Sequence, residues 1–272
     1  MQRNVFLKNK QILIGGTIIL ILVFLAVFAP FLSSYDYMKI DLENQLLPPG
    51  EHGHFLGTDT FGRDLWTRLV YGGRVSLIVS LLSVSFASII GTILGMVCGY
   101  MGGRIDFIIG RIMDIMMAFP VLLLSLLLGV VLDPSIFNMW FIIGIPLIPS
   151  FYRVIRSSSM TVRERGYVRA ARSMGGRHIY ILRRHILPNV APQFFVMFSF
   201  DFGSAIMAES ALGFLGLGVP SPTPSWGLII NEGRAFIFTE PWLVGFSGLL
   251  IALAVFAFNM LGDGLRDCLE PR

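Results

Sequence analysis

Charged residues are scarce in this sequence. They form 14% of the 272 residues, against roughly 25% in ordinary soluble domains, while hydrophobic residues form 54%. Cysteine is also scarce, because Cys98 and Cys268 are the only two, and a disulfide framework is not expected. This composition excludes a typical soluble domain and favours a protein embedded in lipid.

The sequence also lacks motifs for catalysis. The phosphate-binding sequence G-x-x-x-x-G-K-[ST] does not occur, so the chain is not itself an ATPase, and we find no motif for a catalytic nucleophile. His52 and His54 lie near Asp59 and Asp64 in a Gly-rich segment and form a weak candidate metal site. An H-x-H pair without further ligands is more often a pair of exposed loop residues. We therefore predict no metal site and no enzyme activity.

Long apolar runs, in contrast, are abundant. Ile12–Leu32 carries no charge and, at about 1.5 Å per residue, matches a hydrocarbon core of about 30 Å. It is longer than the apolar core of a secretory signal, which favours an uncleaved anchor. The other runs lie at roughly 76–101, 107–132, 136–155, 190–218 and 242–262. The expected fold class is therefore an all-α integral membrane protein with about six transmembrane helices.

Basic residues are distributed unevenly between the two sides of such a bundle. With the N-terminus inside, 16 of the 21 lysines and arginines fall on one side and five on the other. Positive residues favour the cytoplasmic side of membrane proteins. We therefore expect a multi-pass protein of the cytoplasmic membrane with both termini in the cytoplasm. The net charge of +4 then reflects topology, and nucleic acid is not an expected partner.

One loop concentrates the positive charge, because residues 153–184 contain nine arginines. Within it, Thr161 followed by Glu164 predicts a helix that begins at Val162. One face of this helix carries small or mostly apolar residues at the spacing i, i+3, i+4 and i+7. These residues are Tyr167, Ala170, Ala171 and Met174.

Two adjacent glycines, Gly175 and Gly176, are predicted to end this helix, because glycine readily adopts the left-handed conformation that closes a helix. A second helix over about 177–187 should stop before Pro188. A short helix–turn–helix with a narrow alanine face suits a groove in a partner protein. The alternative is that the arginines anchor the loop at anionic lipid headgroups. The alanine face and the glycine pair favour protein docking, because lipid binding requires neither.

The second apolar run carries a small residue at every fourth position. The residues are Ser83, Ala87, Gly91, Gly95 and Gly99. In lipid, such a ridge lets two helix backbones approach closely, so we assign Gly91, Gly95 and Gly99 to helix packing. In the third run, Pro120 predicts a kink.

Three acidic residues lie inside apolar runs, where ionisable groups are rare and a functional role is the default interpretation. Asp114 follows Arg111 by three residues and is expected to pair with it on the helix. Asp201 and Glu209 are eight residues apart, which predicts a shared helix face and makes them candidates for a translocation path or gate. Interhelical hydrogen bonding is the alternative for both.

The stretch "AARSMGGRHIYILRRHILPN", residues 170–189, resembles the EAA loop of ABC-importer permeases. In that loop, three residues separate E-A-A from a Gly, and Leu-Pro follows about twelve residues after that Gly. Ala170, Ala171, Gly175, Leu187 and Pro188 match this pattern, whereas Arg169 stands where the family has glutamate. Three more stretches resemble the shorter, C-type subunit of the dipeptide/oligopeptide/nickel permease family. They are "HFLGTDTFGRDLWTRLVYGGRVSL" (54–77), "AESALGFLGLG" (208–218) and "NMLGDGLRDCLEPR" (259–272).

This resemblance covers nearly the whole chain and implies the type I ABC importer permease fold, with 156–188 as a cytoplasmic coupling loop. The implied coupling residues are Tyr167, Arg169, Ala170, Ala171, Met174, Gly175, Leu187 and Pro188. Implied partners are a homologous second permease in a heterodimer, two cytoplasmic ATPase subunits and an extracytoplasmic solute-binding protein. ATP and Mg²⁺ would be bound by the ATPase subunits, and this chain would hold no cofactor.

The expected organisation has three parts: an anchor and external loop at 1–73, a permease core at 74–262, and a cytoplasmic tail at 263–272. The expected function is ATP-driven import of di- or oligopeptides by alternating access. Nickel, a metal chelate or another small solute is the alternative substrate. A proton-coupled secondary carrier is a further alternative, but no inverted repeat is visible and the EAA-like loop would have no role in it.

Overall fold

The structure, a computed structural model, describes residues 9–133 and 135–269. These residues are helical apart from loops, 3₁₀ turns and one isolated β-bridge between Thr58 and Asp64. The helices, numbered in chain order, are α1 Lys10–Val27, α2 Ala29–Leu32, α3 Leu65–Met101, α4 Gly103–Met117, α5 Val121–Val131, α6 Ile136–Arg163, α7 Gly166–Ser173, α8 His178–Ile181, α9 Leu187–Phe214, α10 Trp226–Gly233 and α11 Trp242–Leu269.

Five helical segments in the described residues are long and apolar enough to cross a membrane. They are α1, α3, α6, the continuous segment His178–Phe214 that contains α8 and α9, and α11. The pair α4 and α5 makes a sixth if it is counted as one bent span. The predicted all-α membrane fold with about six spans is confirmed.

The third predicted span is broken rather than kinked. Its two halves, α4 and α5, meet at an angle of 91°. Pro120 lies at the N-terminal cap of α5 with ψ near 136°, an extended value that cannot continue a helix. The break follows from the missing N–H and the fixed ring of proline, and its size exceeds the simple kink that the sequence predicts.

Helices α3 and α6 form the most extensive helix pair of the bundle. A Cβ atom added at Gly91 would lie 2.6 Å from the Cβ of Phe151, and one added at Gly99 would lie 2.5 Å from the carbonyl oxygen of Arg156. At Gly95 the nearest atom, also in α6, would be 2.8 Å away. These distances leave no room for a side chain. The structure thus places the glycine ridge against α6 of the same chain.

The bundle has two ends that carry different chemistry. Helix α3 has 37 residues and spans about 55 Å, which is longer than the hydrocarbon core. The segment 33–64 and helix α10 lie at the start of α3. We call this the opposite end, because it is opposite the arginine loop. At the finish of α3 lies α7 with the arginine loop, which we call the arginine end. The described helices therefore hold two separate polar regions on either side of the apolar core.

Candidate functional site

The arginine end begins where α6 stops. Helix α6 continues to Arg163, and α7 starts only at Gly166, so the predicted helix start at Val162 is wrong. Thr161 lies inside α6, where its hydroxyl donates to the carbonyl of Ser157 at 3.2 Å instead of capping a new helix. Val162 is buried, so apolar packing keeps α6 helical past the local capping signal.

The C-terminus of α7 follows the predicted glycine signal. Gly175 has φ near 81° in the left-handed region, and its N–H donates to the carbonyl of Arg172 at 3.0 Å. The N–H of Gly176 donates to the carbonyl of Ala171, also at 3.0 Å. This pair of bonds is a Schellman motif. The prediction that the two glycines end the helix is confirmed.

The face of α7 that the sequence predicts as one stripe is divided in the structure. Ala171 is buried in a small apolar cluster together with Val168. Tyr167, Ala170 and Met174 are exposed, Met174 to 82%. We call these three residues the α7 outer face. One side of α7 therefore fixes the helix to the bundle, and the other side is open for a partner.

The segment after α7 differs from the prediction at Pro188. The predicted second helix stops before this proline, but α9 runs through it, and Leu187 and Pro188 form its exposed first two residues. A π-helical turn, Leu182–Ile186, precedes α9, and the N–H of Leu187 bonds to the carbonyl of Leu182, five residues back. The wider turn shifts the hydrogen-bond register just before the residue that lacks an N–H, so the helix tolerates Pro188.

Arg169, which replaces the family's glutamate, has an acidic partner close by. Its Nη2 donates to Glu164 Oε2 at 2.7 Å, and Arg163 Nε donates to Glu164 Oε1 at 3.1 Å. These two hydrogen bonds, the one from Arg169 first, lower the pKa of Glu164 below its ordinary value. Arg163 also lies 3.4 Å from the carbonyl oxygens of Gly99 and Tyr100, which ties the end of α6 to the end of α3.

Further ion pairs near this end join α6 to α4. Asp114 lies 3.7 Å from Arg153, not from Arg111, so the predicted local pair is wrong. Arg111 lies over the ring of Phe107 at 5.3 Å instead. Arg156 forms a two-pronged contact with Asp106 through Nε and Nη2. The sequence spacing favours a pair within one helix, whereas the packing of two helices brings α6 arginines to α4.

At the opposite end, two arginines and two carboxylates form a network. Arg63 donates to Asp59 Oδ2 at 2.7 Å and to Glu232 Oε2 at 2.8 Å. Arg68 donates to the same Glu232 oxygen at 2.7 Å, and its Nε lies 3.2 Å from Asp59 Oδ2. Arg68 is fully buried. The network fixes α10 to the segment before α3.

The two histidines considered as metal ligands each form a hydrogen bond with a single, different side chain. His54 Nδ1 lies 2.8 Å from Asp64 Oδ1, and His52 Nδ1 lies 2.9 Å from Asn44 Oδ1. Asp64 also caps α3 by accepting from the N–H of Thr67 at 2.8 Å. No group of three His, Cys, Asp or Glu side chains within 9–133 and 135–269 is arranged to hold a metal ion.

Asp201 and Glu209 face different surroundings. Eight residues along a helix turn the side-chain direction by about 80°, so the predicted shared face is only approximate. Ser76 donates to Glu209 Oε2 at 2.8 Å, and the backbone N–H of Trp226 donates to Ser76 Oγ at 3.2 Å. Glu209 is fully buried in this contact between α9, α3 and α10. Asp201 instead accepts a hydrogen bond from Ser150 of α6.

A cavity of about 430 Å³ lies beside Asp201, between α5, α6, α9 and α11. Ser150, Asp201, Ser204 and Asn259 supply its polar lining, and the other lining residues are apolar or glycine. Glu209 does not line it. Of the two carboxylates predicted for a path or gate, the structure therefore places Asp201 at an open space and Glu209 in a closed packing contact.

A bundle of apolar helices with an exposed short helix on a basic loop defines a multi-pass membrane protein that has a docking surface at one end. The sequence profile of the "binding-protein-dependent transport system inner membrane component" matches residues 91–272, and that of the "N-terminal TM domain of oligopeptide transport permease C" matches residues 3–49. The chain belongs to this family of binding-protein-dependent inner membrane components. It is a multi-pass permease subunit of an ABC importer.

Relatives match along almost the entire chain. A dipeptide transport system permease protein of Alkalihalophilus pseudofirmus is 44% identical over 97% of this chain and 87% of the relative. A probable D,D-dipeptide transport system permease protein of Escherichia coli is 40% identical over 98% and 89%. A glutathione transport system permease protein of Pectobacterium atrosepticum is 38% identical over the same shares.

A solved structure supports the fold. The inward-facing MetNI methionine ABC transporter superposes with a TM-score of 0.61, covering 75% of this chain and 96% of that chain at 17% identity. The predicted type I importer permease fold is confirmed by this match and by the family profile.

Proposed function

We propose that this permease imports short peptides, and that it does so as one half of a heterodimer with a second, homologous permease. The names of the relatives support a peptide substrate, since two are dipeptide transport permeases and a third is a glutathione transport permease. Nickel and metal chelates have no such support. As the family requires, the transport system includes a solute-binding protein and ATPase subunits.

The α7 outer face carries the proposed contact with an ATPase subunit. Tyr167, Ala170 and Met174 are exposed, while Ala171 on the inner side is packed against the bundle. Because its inner side is packed against the bundle, α7 can transmit a movement of the partner to the bundle without separating from it. Leu187 and Pro188, both exposed at the start of α9, lie in the same loop and extend this contact region.

In this proposal ATP and Mg²⁺ are bound by two cytoplasmic ATPase subunits, and this chain has no cofactor and no catalytic residue. The arginine end faces the cytoplasm, in keeping with 16 of 21 basic residues on that side. Both termini lie there. ATP-driven closure of the ATPase pair moves α7 and exchanges inward-open and outward-open states, each favoured by the ligand that binds it better.

Uptake by reconstituted vesicles tests the proposal. The two permeases, the ATPase subunits and the binding protein are reconstituted together, and accumulation of a radiolabelled dipeptide is measured with ATP on the side of the arginine end. We expect uptake that requires ATP, the binding protein and this chain. Accumulation without ATP, driven by a pH gradient alone, would instead show a secondary carrier, and uptake of nickel in place of the dipeptide would reject the peptide substrate.

A further inference from the structure

Asp201 is a carboxylate without a basic partner in the middle of a membrane-spanning helix. It is 7% exposed, and it forms no ion pair with any of the described residues. An ionisable group inside the bilayer is costly unless it is paired, and such groups commonly mark a substrate or ion pathway. The structure thus contains an acidic group whose cationic partner is not among the side chains around it.

The surroundings of Asp201 are suited to a small organic cation. Ser150 donates to Oδ2, so only one of the two carboxylate oxygens takes part in that contact. Ser204 and Asn259 also line the cavity, each side chain carries an oxygen that can accept a hydrogen bond, and none of the residues that line the cavity is basic. The Ser204 hydroxyl donates to the carbonyl of Phe200 at 3.2 Å, which leaves its oxygen to accept.

The shape of the cavity agrees with a solute of this kind. Its volume of about 430 Å³ falls in the range of about 300–1,000 Å³ that is usual for small-molecule pockets. Gly203, next to Asn259, leaves space in the cavity because it has no side chain. Pro146 and Leu147 of α6 and Val255 of α11 provide apolar walls. One polar corner in a mostly apolar cavity fixes the orientation of a ligand that has one charged end.

We propose that Asp201 binds a primary ammonium group of the transported solute, with Ser150 positioning the carboxylate and Ser204 and Asn259 accepting the remaining hydrogens. This inference rests on the proposed import of peptides. The α-amino group of a peptide has a pKa of roughly 7.7–8.0 and carries a proton at neutral pH. Its three N–H donors match a carboxylate and two neutral oxygens, and hydrogen bonds of a charged donor to a charged acceptor are the strong ones.

Glu209 is the natural comparison within the same helix. It is also a buried carboxylate without an ion pair among the described residues, but it does not line the cavity and is held by Ser76. A ligand cannot reach it without opening the contact between α9 and α3. The geometry therefore selects Asp201 as the ligand-binding carboxylate and leaves Glu209 a packing role.

Equilibrium dialysis with the complete transporter tests this inference. Both permeases and the ATPase subunits are purified together without the binding protein, so that the selectivity of that protein does not enter. Binding of dialanine and of N-acetyl-dialanine is compared, because acetylation removes the positive charge and leaves the rest of the peptide intact. We expect the wild-type transporter to prefer dialanine by about tenfold or more, in keeping with a charge-assisted hydrogen bond.

Variants then show which residue is responsible for the preference for dialanine. Asp201→Asn should bind the two peptides equally, Asp201→Glu should retain part of the preference, and Ser150→Ala should reduce it. Glu209→Gln, the matched change from carboxylate to amide outside the cavity, should keep it. Co-purification with the ATPase subunits identifies any variant that fails to assemble, and the wild-type comparison of the two peptides needs no variant.

Several results would overturn the inference. The wild-type transporter would fail to bind dialanine, or would bind the two peptides equally. The preference for dialanine would survive in Asp201→Asn. Displacement of dialanine by sodium but not by potassium would instead indicate a sodium site. Failure of the proposed function looks different, because it is the loss of ATP-driven dipeptide uptake by wild-type vesicles. Normal uptake with equal binding of both peptides would reject only the ammonium site.

Discussion

Arg68 Nη2 donates to Glu232 Oε2 at 2.7 Å, so a fully buried guanidinium at the start of α3 is tied to α10, 164 residues further along the chain. Arg63 donates to the same carboxylate oxygen, and Asp59 contacts both arginines. Two positive and two negative charges thus compensate one another at the opposite end. Through α10 this network borders the contact of Trp226, Ser76 and Glu209.

Arg68→Leu should therefore destabilise the opposite end. Removing one partner of a buried pair leaves the other charge uncompensated and costs about 3–5 kcal/mol. Because Arg63 still reaches Glu232, we expect a value near the lower limit. The measurement is the midpoint of thermal unfolding of the detergent-solubilised permease. Arg234→Leu, at an exposed arginine of the same region, is the control and should change the midpoint little.

A second measurement separates the ion network from simple packing. If Arg68 and Glu232 interact, the variant that combines Arg68→Leu with Glu232→Leu should lose less stability than the sum of the two single variants. Additive losses would show that the two side chains act independently and that the 2.7 Å contact contributes no coupling.

The glycine ridge gives a second prediction. Gly95→Leu should lower the stability of the subunit by about 1–3 kcal/mol, since overpacking a close contact forces backbones apart. A Cβ at this position would lie 2.8 Å from the carbonyl oxygen of Tyr152. Gly16→Leu is a matched control in α1, because nothing lies within 4 Å of a Cβ added there. Equal unfolding midpoints for the two variants would mean that α3 and α6 do not require close approach.

Periodicity and composition are sufficient to predict the helical class, because each transmembrane helix must satisfy its own backbone and expose an apolar surface. They also predict the end of α7, since only the local φ of Gly175 decides it. They fail where distant packing overrides a local signal. Thr161 has a capping pattern, yet the burial of Val162 extends α6, and the π turn before Pro188 has no sequence signature that we recognise.

The polar sites show the same limit. The i,i+4 spacing of Asp59 and Arg63 is a visible signal for one ion pair, but nothing in the sequence indicates that Glu232 completes the network. Helical periodicity also places Asp201 and Glu209 roughly together. Only the packing of α3, α6 and α11 around α9 determines that one faces a cavity and the other faces Ser76.

Membrane orientation is the third prediction. A reporter fused after Arg172 should lie in the cytoplasm, and one inserted within 40–60 should lie outside, because 16 of the 21 basic residues, nine of them in the arginine loop, fall on the predicted cytoplasmic side. Paired fusions to alkaline phosphatase, active outside, and to a fluorescent protein that matures inside provide the measurement. If the reporter after Arg172 lies outside the cell, α7 is out of reach of any cytoplasmic ATPase, and the proposed docking is rejected.

Acid should loosen the start of α7, which is the fourth prediction. The pKa of Glu164 is lowered by its hydrogen bonds to Arg169 and Arg163. The stability that the Glu164 carboxylate contributes is therefore fully present above its ordinary pKa of 4.5. It is lost as the pH falls through the lowered pKa of the folded state. We expect faster amide exchange in residues 166–173, corrected for intrinsic rates, below this pH. Glu164→Gln should remove the pH dependence, and an unchanged profile in that variant would assign it to another group.

The last prediction distinguishes docking to protein from anchoring to lipid at the α7 outer face. Ala170→Glu places a long side chain between Tyr167 and Met174 and leaves every arginine of the loop in place. Because Ala170 is exposed and Ala171 supplies the buried contact, the membrane fold should persist. We expect the variant to be as abundant in the membrane as the wild type, but to lose co-purification with the ATPase subunits and to lose dipeptide uptake.

Ser157→Glu is the matched control, because it adds the same charge at an exposed position of α6, nine residues before α7 begins. It should co-purify with the ATPase subunits as the wild type does. Met174→Asp, at the most exposed residue of the α7 outer face, should reproduce the loss seen with Ala170→Glu. If both α7 variants recover a complete complex and transport normally, the outer face is not the docking surface. The remaining role for the arginine loop would then be attachment to anionic lipid, because both variants keep every arginine of the loop.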